Sequence, residues 1–206
     1  MKKNAVKLPQ YAMFSDDFRD GVKGSVFEDE ECGYVNGNAS ELSEMMKSVI
    51  SGGIYRMDVQ RKRSECWTDT PQQVVNYVEA HDNLTLFDKL RISMPEVSKQ
   101  ECVSVDKLAA ALVFLSQGIP FMQAGQEILR SKPSSDGGFV HDSYNSPDSV
   151  NSIKWNDVTI HRNVMEYYRG LIAIRKRFSE FRLRTAHDIC SRLEYEDLGG
   201  GALAVH

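Results

Sequence analysis

The sequence has no closely spaced cysteines, no long apolar run and no surplus of positive charge, and each gap removes a class of function. Its four cysteines are scattered, and the closest two, Cys32 and Cys66, are 34 positions apart. With no C-x-x-C spacing and no histidine pair near Cys32, Cys66, Cys102 or Cys190, a finger-type zinc site is excluded. Four reduced thiols are expected. The formal net charge of −4 leaves no electrostatic footprint for nucleic acid or an anionic lipid surface. The longest apolar-leaning stretch, residues 108–122, is broken by Ser116, Gln117 and Gly118, so it falls short of the roughly 20 residues that span a bilayer. The start Met1-Lys2-Lys3 is charged, but no apolar core of about 7–15 residues follows it as a signal peptide requires.

What remains is an ordinary globular composition. Of 206 residues, 41% are hydrophobic and 26% charged, which argues against disorder and low-complexity character. A chain of this length hides roughly 70% of its unfolded surface on folding and reads as one domain, or one and a part. Residues 1–40 read as loop and short strand, with a compact apolar segment at 11–14 and a charged run at 15–20. A first helix is expected over 40–50, capped by Ser40, with Leu42, Met45, Met46, Val49 and Ile50 at helical spacing. Val74–Val78 is β-rich, 85–92 fits a short helix, and 105–117 a stronger one with Asp106 near its start. Gly118 stops that helix and an extended apolar run follows to Ala124. Residues 125–157 carry turn formers at the density of a long loop, and loops of that length are often functional. A helix over 164–178 is expected to turn Tyr167, Tyr168, Leu171, Ile172, Ile174 and Phe178 inward and its arginines outward. The tail reads as a β-hairpin turning at Gly199-Gly200-Gly201.

Strands alternating with helices argue for an α/β fold with a parallel sheet, in which functional residues sit at the carboxyl ends of strands. Two polar clusters meet that condition, Glu79 to Asn83 and Gly125 to Glu127. His81, Asp82 and Asn83 offer an imidazole, a carboxylate and an amide within one turn, a set suited to sugar hydroxyls and to a developing positive charge. On generic grounds Asp82 could equally cap the following helix, with His81 bonded to backbone.

The wider pattern is more specific. Val-Asn-Tyr-Val-Glu-Ala-His81-Asp82-Asn83-Leu-Thr-Leu resembles the fourth signature region of the α-amylase clan of (β/α)8 glycoside hydrolases. Gly118-Ile-Pro-Phe-Met-Gln-Ala-Gly125-Gln-Glu resembles the eighth barrel strand of that clan. Ser143-Tyr-Asn-Ser-Pro-Asp148-Ser-Val-Asn151 and Phe14-Ser-Asp-Asp-Phe-Arg-Asp20-Gly-Val-Lys-Gly-Ser-Val-Phe27 are similar to type I pullulanases. The matches occur in family order across residues 14–151. In place of the family's usual Gly-Glu-Glu at the eighth strand, this sequence has Gly125-Gln126-Glu127.

The resemblance implies debranching by retaining hydrolysis of α-1,6-glucosidic bonds in pullulan, amylopectin or glycogen, with two carboxyl groups roughly 5–5.5 Å apart as nucleophile and acid/base. By likeness, Asp82 corresponds to the third carboxylate, the transition-state stabiliser, and His81 donates to the same sugar. Asn83, Tyr144, Asn145, Asp148 and Asn151 would line neighbouring subsites. Two segments mimic the remaining catalytic strands: Arg56-Met-Asp58 and Glu65-Cys-Trp67. Asp58 and Glu65 are only seven positions apart, whereas a crossover between parallel strands needs about a dozen residues, so both are rejected. The implied architecture is the C-terminal part of a (β/α)8 TIM barrel, strands 6–8 with their helices over residues 1–185, running into an all-β C-terminal domain at 186–206. Both ends then read as cuts through a larger enzyme, since a full barrel takes about 250 residues. The nucleophile and acid/base lie in a missing N-terminal part of the barrel, which becomes an expected partner beside α-glucan polysaccharide. An open-edged part-barrel is expected to aggregate or to associate with such a complement. Neither nucleic acid nor membrane is an expected partner. No cofactor or metal site is assignable, although pullulanases often bind calcium. The cytoplasm is favoured as location, with secretion or the cell surface left open because any signal would lie upstream. The competing readings are an isoamylase-like or neopullulanase-like glycosidase, and a non-catalytic carbohydrate-binding remnant.

Overall fold

The computed structural model describes residues 2–206. Its centre is a three-stranded parallel sheet in the order β1 (Met13–Phe14), β2 (Val74–Asn76), β3 (Ile119–Pro120). Met13 pairs with Val74, and Val75 pairs with Ile119. The three strands take their chain order, with helices in each connection. Between β1 and β2 lie α1 (Asp16–Lys23) and α2 (Ala39–Ile50), and between β2 and β3 lie α3 (Leu86–Ser93) and α4 (Lys99–Leu115). After β3 come the short α5 (Asp148–Asn151) and α6 (Asp157–Ile160), then α7 (Arg162–Arg177), α8 (Ala186–Arg192) and an antiparallel hairpin of β4 (Tyr195–Gly199) and β5 (Ala202–Val205).

The main core forms where α1, α2, α3 and α4 pack together, with Phe18, Val22, Met46, Val49, Leu86, Leu90, Ala109 and Val113 all buried. A second cluster joins α4 to α7 through Val103, Ala110, Phe114, Val164, Tyr168 and Leu171. Gly118 lets β3 enter the sheet. Its φ is +110°, and a Cβ there would stand 3.0 Å from the Val74 carbonyl oxygen, so only glycine fits both the dihedral and the space. Phe18 is fully buried in the main core. Phe18→Ala is therefore expected to cost about 3–5 kcal/mol, measured as a fall in the urea midpoint with unchanged slope.

Several elements differ from the sequence reading. Helix α1 falls in the charged run at 15–20, because its apolar marks are only Phe18 and Val22. Ser15 caps it, accepting from the Phe18 N–H at 3.2 Å. In α2 the N-cap is Asn38, and Ser40 lies inside the first turn. Helix α4 begins at Lys99, six residues before the expected start at 105, because Ser98 and Glu101 form a capping box. Asp106 is thus interior and buried, not initial. Along α7 the inward line is Val164, Tyr168, Leu171 and Arg175, while Tyr167, Ile174 and Phe178 are 36%, 40% and 43% exposed. Arg175 turns inward because α4 ends in open carbonyls. Its guanidinium donates to Phe114 O at 2.7 Å, Ser116 O at 2.8 Å and Gly118 O at 2.6 Å.

Residues 186–206 open with helix α8 and pack on the same body. Ile189 and Leu193 bury against Ile54, and Tyr195 and Leu203 lie on the main core. No helix is long and apolar enough to cross a membrane among the described residues.

Candidate active site

Central strand β2 stops at Asn76 and the chain turns through residues 77–85 before α3. Thr85 caps α3, accepting from the Asp88 N–H at 3.1 Å, and the carboxylate of Glu79 accepts from the Leu86 N–H. Those two groups satisfy the helix start, so Asp82 does not cap it. His81 and Asp82 are left free to project, with side chains 84% and 73% exposed and Nε2 3.3 Å from Oδ1. Asn83 follows at φ +60°, a left-handed conformation that asparagine tolerates better than most residues.

Beneath the exposed turn lies a buried ionisable group of residues. Glu79 is 2% exposed and Lys23 1% exposed. Burial pushes the Glu79 carboxyl up to about 7 and the Lys23 ammonium down to about 8. Asp106, on α4, is raised well above the usual carboxylate range by burial and then by the nearby charge of Glu79. Its Oδ1 accepts from the Tyr168 hydroxyl at 3.1 Å, and that hydroxyl accepts from Gln126 Nε2 at 3.1 Å. Arg19, on α1, holds Asp20 through two bonds at 2.6 and 2.9 Å and donates to the Tyr77 hydroxyl at 2.7 Å. Arg19, Lys23, Tyr77, Glu79 and Asp82 border a small hollow of about 90 Å³.

A larger cleft of about 850 Å³ opens on the other side of Asn83, between Phe27, Glu28 and Asp29 and the loop residues His141 and Asp142. His141 Nε2 lies 2.9 Å from Asp29 Oδ2. The long loop is anchored beneath this cleft. Asp88 accepts from the Ser131 hydroxyl at 2.5 Å and from the Lys132 N–H at 2.8 Å. The Lys132 ammonium donates to the Asn83 carbonyl, and lies 3.5 Å from the His141 carbonyl.

The structure therefore brings His81, Asp82 and Asn83 together and sets Asn83 beside His141 and Asp142. Tyr144, Asn145 and Asp148 lie farther along the same loop and are exposed, Tyr144 by 84%. Asn151 turns inward on its own loop, its Nδ2 donating to Ser143 O at 2.5 Å and Ser146 O at 3.0 Å, so that nitrogen holds the loop's shape. Arg130 ties the loop down by donating to Asn151 O at 2.7 Å. The groups missed from sequence are Lys23, Asp88 and Lys132. A lone lysine or aspartate in a polar context reads as solvated, and no local signal distinguished them.

Neither mimic of a catalytic strand stands on the sheet. Residues 51–73 contain no strand, and a 3₁₀ turn spans Arg63–Glu65. Arg56 grips Asp58 at 2.9 and 2.6 Å and donates to Ile189 O at 3.0 Å and Leu193 O at 2.8 Å, which pins α8. Among the described residues no group of three His, Cys, Asp or Glu side chains converges as a cation site.

No family model matches the chain. It is 36% identical over 191 residues to the pullulanase of Bacillus subtilis, covering 93% of this chain and 25% of that protein. It is 37% identical over 140 residues to the chloroplastic pullulanase 1 of Arabidopsis thaliana, covering 64% of this chain and 14% of that one. Among solved structures, the pullulanase of Paenibacillus barengoltzii complexed with maltotetraose superposes with a TM-score of 0.90 at 40% identity, over 99% of this chain and 30% of that one. The chain spans about a quarter of the length of the Bacillus subtilis relative. Sequence and fold agree over nearly the whole of these residues, and the chain belongs to the pullulanase family, matching a stretch of the type I enzymes.

Proposed function

We propose that these residues form strands six to eight of a (β/α)8 catalytic barrel that hydrolyses α-1,6-glucosidic bonds in pullulan, amylopectin or glycogen with retention. In this reading β1, β2 and β3 are those strands, and residues 186–206 lead into an all-β C-terminal domain. The observation that carries it is the solvent-facing His81-Asp82-Asn83 turn, at the carboxyl end of the central parallel strand of a pullulanase-like fold. Carboxyl ends of parallel strands are where such barrels place their chemistry.

Glycoside cleavage with retention passes through oxocarbenium-like transition states flanked by a nucleophilic carboxylate and an acid/base carboxyl. Asp82 supplies a further negative charge facing the sugar ring, where positive charge develops. Because its carboxylate is free of the helix cap, both oxygens are available to hydroxyls. His81 donates to the same sugar and, 3.3 Å from Asp82, restrains its rotation. Asn83, Tyr144, Asn145, Asp148 and Asn151 border neighbouring glucose subsites, with Asp148 as a hydroxyl acceptor. The nucleophile and acid/base come from outside these residues, because Asp58 and Glu65 stand off the sheet. These residues alone are then inactive, and the substrate is an α-glucan.

A fusion tests this. The chain replaces the matching 191-residue stretch of the Bacillus subtilis pullulanase, and reducing ends released from pullulan are measured. The expected result is α-1,6 hydrolysis by the fusion and none by the chain alone. A folded fusion with no activity, or hydrolysis by the chain alone, would overturn the assignment.

A further inference from the structure

The exposed turn and the long loop are joined by a single buried side chain. Lys132 is 1% exposed, and its ammonium donates to the carbonyl of Asn83, the left-handed residue that follows Asp82. The same ammonium lies 3.5 Å from the carbonyl of His141. Asn83 and His141 both line the 850 Å³ cleft, so Lys132 joins the two segments that meet at its edge. Its own backbone is fixed from the opposite direction, because the Asp88 carboxylate on α3 accepts from the Lys132 N–H at 2.8 Å and from the Ser131 hydroxyl at 2.5 Å. Glu79 closes the turn's other end on the Leu86 N–H.

We propose that Lys132 is a positioning residue for the glucan site. Its ammonium clasps the Asn83 and His141 carbonyls, holding the peptide after Asp82 in its left-handed form and fixing the distance between the Asp82 turn and the 141–151 loop.

The proposal rests on the glucan-cleaving reading above for its consequence, but the clasp itself rests on geometry alone. A charged group is needed here for a physical reason. A left-handed non-glycine residue relaxes unless its neighbours hold it, and a hydrogen bond from a cation to a carbonyl is stronger than one from a neutral donor. Burying an ammonium is unfavourable, and burial accordingly draws Lys132 below the ordinary lysine range. Two carbonyls from two segments offset that cost only while both segments stay in place. Arginine can keep the charge and the reach, whereas methionine keeps only the volume.

The test uses the whole chain with Lys132→Met and Lys132→Arg. Hydrogen–deuterium exchange read by mass spectrometry should show the peptide over 81–86 exchanging about tenfold faster or more in K132M, as expected for loss of a charge-assisted bond. Exchange over α7 should be unchanged, and K132R should restore the slow rate. Maltotetraose affinity should fall about tenfold in K132M and return in K132R, a loss equivalent to one such bond. Unchanged exchange over 81–86 in K132M would overturn the clasp. So would a K132R that behaves as K132M, because packing rather than charge would then be responsible. If K132M does not fold, wild type decides the matter by acylation with an N-hydroxysuccinimide acetate ester. Lys132 should react about tenfold slower or less than exposed Lys62, since a bonded buried amine is shielded, and equal rates would overturn the proposal. Wild type that binds no maltotetraose would count against the glucan reading, leaving the clasp to be judged by exchange and acylation.

Discussion

Asp82→Asn in the pullulan-cleaving fusion is expected to lower kcat by about 10²–10³, the scale seen when one preorganised electrostatic group is removed from a transition state. Asparagine keeps the shape and one accepting oxygen, so ground-state sugar contacts persist and KM should move far less than kcat. What is lost is the negative charge facing the oxocarbenium-like centre. Stability should not change, because the Asp82 side chain is 73% exposed and the helix start beside it is capped by Thr85 and Glu79. Substitutions at such sites usually stay within about 0.5 kcal/mol. Steady-state kinetics on pullulan with a thermal melt on the same sample check both halves. A variant with near-normal kcat would remove Asp82 from the chemistry.

Replacing Glu79 is expected to have the opposite signature, large in stability. Glu79→Ala removes the buried acceptor of the Leu86 N–H at the start of α3. Leaving that buried N–H without its acceptor costs about 1–3 kcal/mol. Glu79→Gln keeps an acceptor for Leu86 and should be milder, and it separates the pH dependence. The folded-state pKa of Glu79 is raised from 4.5 to about 7. A raised value means that the stabilising contribution is complete below 4.5 and lost as pH rises through about 7. Wild type should therefore become less stable between roughly pH 4.5 and 7, and Glu79→Gln should flatten part of that slope. Asp106 and Asp88, also raised by burial, act in the same direction, while His161, lowered by burial, opposes them. Lys23 does not enter this window. Its value is lowered from 10.5 to about 8, so its contribution is complete above 10.5 and already lost below about 8. Urea unfolding at pH 5, 6 and 7 checks the sign, and an identical slope in wild type and Glu79→Gln would contradict it.

How much of this was legible in advance depends on the kind of signal. Strand β2, helix α3, the stop at Gly118 and the glycine-turned hairpin were readable, because apolar runs and glycine punctuation are local. Helix α1 was not, since only two of its residues are apolar and it is defined by burial against α2 and α4. Helix α4 started early because a four-residue capping box outweighed the apolar stripe. Arg175 could not be placed from sequence. Its inward turn answers carbonyls left open at the end of another helix, a need that arises only after α4 and α7 pack.

The sequence by itself determined the family resemblance, the parallel α/β order and the His81-Asp82-Asn83 turn at a strand end. Each of these is written in residue type and local spacing. Spacing already set Asp58 and Glu65 aside, but tertiary structure alone decided that Arg56 grips Asp58 and pins α8 through the Ile189 and Leu193 carbonyls. It also decided that Asn151 spends its amide nitrogen on its own loop, and that Lys23, Glu79 and Lys132 are buried beneath the turn. Burial, charge compensation and the meeting of carbonyls from distant segments are properties of packed surfaces. A chain read one residue at a time does not carry them.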